Sequence, residues 1–167
     1  MHMQWAGTRY TSGLVLLVCL ASVACDAAPA RDKPIYAKTS NKELKQKTLQ
    51  VVQSIRALVD SYNTKDRELR AEYDKKDKPQ SSQEERKALR AHWLTASDAV
   101  HDATLRAYKD QYWAEAIVLR NELVRRLPKQ QNEQAIAGIY QNPTNVLGIQ
   151  LIADHLELMA KSLPDSS

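Results

Sequence analysis

The sequence predicts an all-α fold: an elongated, coiled-coil-like antiparallel helical hairpin, with C-terminal helices packing on it to form a bundle. Three observations carry that expectation. Glycine is scarce, with four in 167 residues. Gly7 and Gly13 lie near the N-terminus, and Gly138 and Gly148 stand on separate segments, so the chain lacks both the Gly-rich turns of an all-β fold and a phosphate-cradling loop. Strong helix formers, Ala, Leu, Gln, Glu, Lys and Arg, dominate the composition. Apolar residues also recur in alternating steps of four and three, the period of a helix that buries one face.

The N-terminal stretch has a different character. Ser12 to Cys25 reads SGLVLLVCLASVAC, carries no charge and follows Arg9. A positive start, a short apolar run and small residues before a cleavage point make up a secretory signal. The run is short of the roughly 20 apolar residues that a membrane span needs. The expected organisation is therefore a signal peptide over 1–24, an attachment cysteine and flexible tether over 25–39, one helical domain over 40–164, and a disordered tail over 165–167. Pro29 and Pro34 disfavour helix in the tether.

Ala24-Cys25 resembles the end of a bacterial lipobox, with Ser22 where that motif usually has Leu. The resemblance implies that the Cys25 thiol is lipidated and becomes the new N-terminus. Cysteine usage agrees with it. The chain has two cysteines, and Cys19 lies inside the apolar run, so cleavage leaves Cys25 without an intramolecular partner. The expected location is the periplasmic side of a bacterial membrane, lipid-anchored, with inner and outer membrane both open. Asp26 resembles an inner-membrane retention signal. The alternative is a soluble periplasmic protein cut after Ser22-Val23-Ala24.

The first helix starts at Ser40, because Ser40 and Glu43 have the spacing of a capping box. Leu44, Thr48, Val51, Ile55, Leu58 and Tyr62 form its seam, widened by Leu49, Val52 and Val59. From Thr64 to Lys78 the chain is charged, and Asp66–Arg70, Glu72–Lys76 and Asp74–Lys78 are spaced to pair along the helix. A helix from Asn41 to Lys76 spans roughly 54 Å. Pro79 ends it. Ser81 with Glu84, or Ser82 with Glu85, caps the second helix. Its seam runs through Leu89, Trp93, Ala96, Val100, Ala103 and Ala107, slips near Tyr108 with a bend expected around 109–111, and must end by Leu127 before Pro128. A short helix ends at Asn142-Pro143. Asn142 is expected to cap the last helix with Pro143 in its first turn. That helix buries Ile149, Ile152, Leu156, Met159 and Leu163. Its second patch, Leu147, Leu151 and Leu158, is expected to be covered inside the bundle, with an oligomer contact as the alternative.

Little in the chain points to chemistry. His92 and His101 are nine residues apart and face opposite sides of one helix. Asp98-x-x-His101 has no second copy of the kind that a carboxylate-bridged metal bundle uses, so no metal and no cofactor is expected. With no further mature cysteine, thiol catalysis and covalent haem attachment have no residues to use. The formal net charge of +4 is spread along the chain rather than gathered on one face, which argues against nucleic acid. Trp93, Tyr108, Tyr112 and Trp113 are the candidate partner or ligand residues, since Trp and Tyr are enriched at binding hot spots. In a chain without phenylalanine they are equally suited to core packing. The expected function is a non-catalytic helical adaptor, inhibitor or scaffold for another envelope protein, held at the membrane by its N-terminal lipid. The alternative is a periplasmic bundle that binds a small ligand through the Tyr/Trp cluster. The first requires an exposed apolar patch, and the second a cavity lined by Tyr112, Trp113 and Met159.

Overall fold

Two serine caps, a kink and a clasp organise the chain. A computed structural model describes Tyr36, residues 38–127 and residues 133–164, the side chains of 133–136 excepted. Cys25, the signal, most of the tether and the 165–167 tail lie outside the described residues. Five helices follow in order: α1 (Asn41–Lys76), α2 (Gln83–Gln111), α3 (Trp113–Arg126), α4 (Glu133–Gln141) and α5 (Val146–Ser162). They pack against each other as a bundle within one compact unit.

Both long helices begin at complete capping boxes. Ser40 Oγ accepts from the Glu43 N–H at 3.2 Å, and the Glu43 carboxylate accepts from the Ser40 N–H at 3.0 Å. At α2 it is Ser82 that caps, with the reciprocal pair to Glu85 at 3.2 and 2.7 Å. Ser81 is used instead in the turn, where its N–H donates to the Lys78 carbonyl at 3.0 Å. Contacts between α1 and α2 run in opposite chain directions: Tyr62 meets His101, Asp66 meets Ser97, and Tyr73 meets Trp93. The pair is therefore antiparallel.

The expected bend falls at Tyr112, between α2 and α3, where φ is −125° and ψ −25°. The ladder continues through it, since Tyr112 N–H donates to the Tyr108 carbonyl and Ala116 N–H to the Tyr112 carbonyl, both at 2.9 Å. These two bonds bridge the kink between the helices.

The start of α5 differs from expectation. Asn145, not Asn142, is the N-cap, with its side chain accepting from the Gly148 N–H at 2.8 Å. Pro143 is buried in the connection before it. Starting at Val146 keeps that residue, Ile149, Ile152, Leu156 and Met159 on one buried face.

The core gathers where α5 packs on α1 and α3. Leu44, Ile55, Leu119, Leu123, Ile149, Ile152 and Leu156 are all fully buried. Below them, Arg126 closes the base. Its guanidinium pairs with buried Glu122 at 2.9 Å and donates to the carbonyls of Tyr36 and Thr39 at 2.7 and 2.8 Å and to Asn41 Oδ1 at 3.0 Å. Asn41 in turn donates to the Pro164 carbonyl at 3.1 Å. Tyr36 and Thr39, within the expected tether, are thus tied to the bundle.

Candidate functional site

The four aromatic candidates do not form one site. Trp93 lies near the turn between α1 and α2, its ring centroid 5.7 Å from that of Tyr73. Tyr108 is fully buried in the core. Tyr112 and Trp113 sit at the kink, partly buried against the core. The Trp113 indole N–H donates to the Tyr140 carbonyl at 2.6 Å, which fixes the ring against α4. Three pockets bounded by described residues, two beside Tyr73 and Trp93 and one beside Leu147 and Leu151, are not lined by Tyr112, Trp113 or Met159.

Around Tyr108 and Trp113 lies a buried polar cluster that sequence reading did not find. The Tyr140 hydroxyl is 3.1 Å from His155 Nδ1 and 3.3 Å from the Ile152 carbonyl. A hydroxyl has one proton: given to Ile152, it leaves Nδ1 as the donor to the tyrosine oxygen. The Arg120 guanidinium stacks 5.4 Å from the Tyr140 ring centre, a cation–π arrangement. Burial pushes the Tyr140 and Tyr108 phenols far above their ordinary range, so both stay neutral. The Tyr108 hydroxyl is buried without a hydrogen-bond partner among the described residues. The available signal for this cluster was His155, which on a helical wheel borders the Ile152–Leu156–Met159 face. Its phenols are held protonated and enclosed, so the cluster is suited to fixing α4 on α5 rather than to proton transfer.

The surface of α5 is different. Leu147, Leu151 and Leu158 are 63, 43 and 58 % exposed, whereas Ile149, Ile152 and Leu156 of the same helix are fully buried. At 3.6 residues per turn the three leucines and Asp154 fall within roughly 60° of arc, opposite the buried face. The expectation that this patch is covered inside the bundle is corrected. α1, α2, α3 and α4 all contact α5, yet they leave these three leucines exposed. Asp154, midway along the stripe, is held by Arg56 of α1 at 2.8 Å, and Arg56 also pairs with Glu157. Arginine thus ties the acids back toward α1 and leaves the leucines standing clear. At the N-terminal end the stripe runs into a groove of about 270 Å³, where Leu147 and Leu151 face Ile139 and Pro143.

Among the described residues no group of three or more His, Cys, Asp or Glu is placed to hold a metal ion, and no helix is long and apolar enough to cross a membrane. Set against known protein families, curated proteins and solved structures, the chain matches none.

Proposed function

We propose that the protein is exported, attached through Cys25 to the periplasmic face of a bacterial membrane, and acts without catalysis as a helical adaptor for another envelope protein. The observation that carries this reading is the Leu147–Leu151–Leu158 face of α5. An unpaired row of leucines beside an apolar groove has the form in which helices dock on one another, with anchors one and several turns apart. The partner is not a second copy of the same helix. Antiparallel self-pairing centred on this stripe would set Asp154 of each copy, with the Arg56 that holds it, against Leu151 of the other, and burying a charge against an apolar side chain is unfavourable. A helix with apolar anchors and a basic or polar residue opposite Asp154 fits. The small-ligand reading draws less support, because Tyr108 and Trp113 are already engaged in packing and in holding Tyr140.

Site-specific photo-cross-linking in the native envelope tests the reading. A photoreactive residue at Leu151 should give one dominant heterologous adduct that is missing when the same residue replaces exposed Glu68 of α1. Adducts only with itself, or the same products from both positions, would refute the adaptor. Cys25→Ala should release the protein from the membrane fraction and raise its mobility to that of the unlipidated chain. Unchanged fractionation and mass would remove the anchor from the account.

A further inference from the structure

The far end of the hairpin holds a second feature, independent of the α5 face. Arg70, Tyr73 and Asp74 of α1 and Arg90 and Trp93 of α2 line a pocket of about 130 Å³. At roughly 30 Å³ per liquid water, that is the space of about four waters. Arg70 and Asp74 are one turn apart with Tyr73 beside them, and Arg90 and Trp93 are three apart on the facing helix, so antiparallel pairing brings all five to one place.

The charges there are unspent. Neither guanidinium nor the Asp74 carboxylate makes a hydrogen bond, or an ion pair within 4.0 Å, with any described residue. Opposite charges therefore share the pocket without touching. The indole Nε1 of Trp93 is buried and has no acceptor among the described residues. A simple anion entering this space meets Asp74, and a simple cation meets two guanidiniums. A group that carries both charges meets a partner for each. Planar guanidinium forks match a carboxylate. An ammonium is matched by Asp74 and by the faces of Tyr73 and Trp93.

We infer that the hairpin-tip pocket binds the α-aminocarboxylate group of a small amino acid, with the carboxylate between Arg70 and Arg90 and the ammonium at Asp74. The volume of the pocket suits such a group, and the Trp93 ring that lines it reports on its occupation.

Titration of the purified ¹⁵N-labelled protein with glycine at fixed ionic strength tests this, read on the indole N–H resonances. The Trp93 resonance, assigned by its loss in Trp93→Phe, should move along a saturating curve. The Trp113 resonance, held by the Tyr140 carbonyl, should not move. Acetate and methylammonium each offer one of the two charges and should bind at least ~10-fold more weakly, the effect of losing about 1.4 kcal/mol. Arg70→Gln with Arg90→Gln should abolish saturation, and Asp74→Asn should reduce glycine to the level of acetate. All these residues are exposed, so folding should be unaffected. No saturation with glycine, equal affinity for acetate, or an unchanged curve in the double arginine variant would overturn the proposal.

Discussion

The two ends of the α1–α2 pair are built on different terms. From Asn41 to Val59, α1 buries seven residues, among them Leu44, Val52 and Ile55, because α5 lies along it. Beyond Val59 no residue of α1 is buried, and in α2 burial begins only at Thr104. The distal helices meet each other through half-buried Leu69, Tyr73, Leu89 and Trp93. Two helices in contact bury one stripe each. A third and fourth neighbour are needed to take a side chain fully from water. Neighbour number, more than helix propensity, separates the end that holds the fold from the end that presents charge and aromatic surface.

Matched leucine truncations should show the difference most strongly. Leu156→Ala at the base removes a fully buried side chain from a closed core and should cost about 3–4 kcal/mol in urea or thermal unfolding. Leu89→Ala at the tip leaves a dent open to water and should cost about 1 kcal/mol. Equal losses would mean that the distal pair is as tightly packed as the base.

A smaller effect of opposite sign sharpens the same comparison. The base buries its core side chains fully, yet it encloses the Tyr108 hydroxyl without an acceptor among the described residues. Burying such a group is unfavourable by about 1–3 kcal/mol in proteins. Tyr108→Phe keeps the ring and removes the hydroxyl, so it should raise stability by about 1 kcal/mol in the same unfolding assay. A loss of stability would show that the hydroxyl has a partner in solution.

How much of this could be read in the sequence depended on how local each device is. The caps at Ser40 and Ser82 lie within four residues of their partners: the first was legible, and the second was narrowed to Ser81 or Ser82. So were the all-α class and the Leu44–Thr48–Val51–Ile55 seam, because period and composition are properties of a single segment. The α5 cap was not. Asn142 followed by Pro143 is as good locally as Asn145, and the choice falls to Asn145 while Pro143 is buried in the connection. The second leucine patch was visible on the helical wheel, but a wheel cannot count neighbours, and its exposure depends on which side α1, α3 and α4 occupy. Of the three expected ion pairs along α1, Glu72–Lys76 forms. Asp66 instead accepts from Ser97 of α2 at 3.2 Å, a contact across 31 positions that no local spacing reveals. That loss leaves Arg70 without its expected mate and available to the tip pocket. Trp93, Tyr108, Tyr112 and Trp113 were recognisable as aromatic candidates. Their division between tip, core and kink followed from the Tyr112 kink and from Tyr140, both set by tertiary packing.

Native-state hydrogen exchange measured residue by residue tests the contrast between the two ends most directly. Exchange reports the free energy of the opening that exposes each amide, from near zero in fraying segments up to the global value in a core. Amides of 48–59 in α1 and 152–160 in α5 should exchange only through global unfolding, with one common free energy. Amides of 66–76 and 87–97 should open together at a distinctly lower free energy, and Leu89→Ala should lower that value without changing the base. If the distal amides were protected to the same level as those of α5, the hairpin would be one cooperative unit from turn to base, and the distinction between its two ends would be wrong.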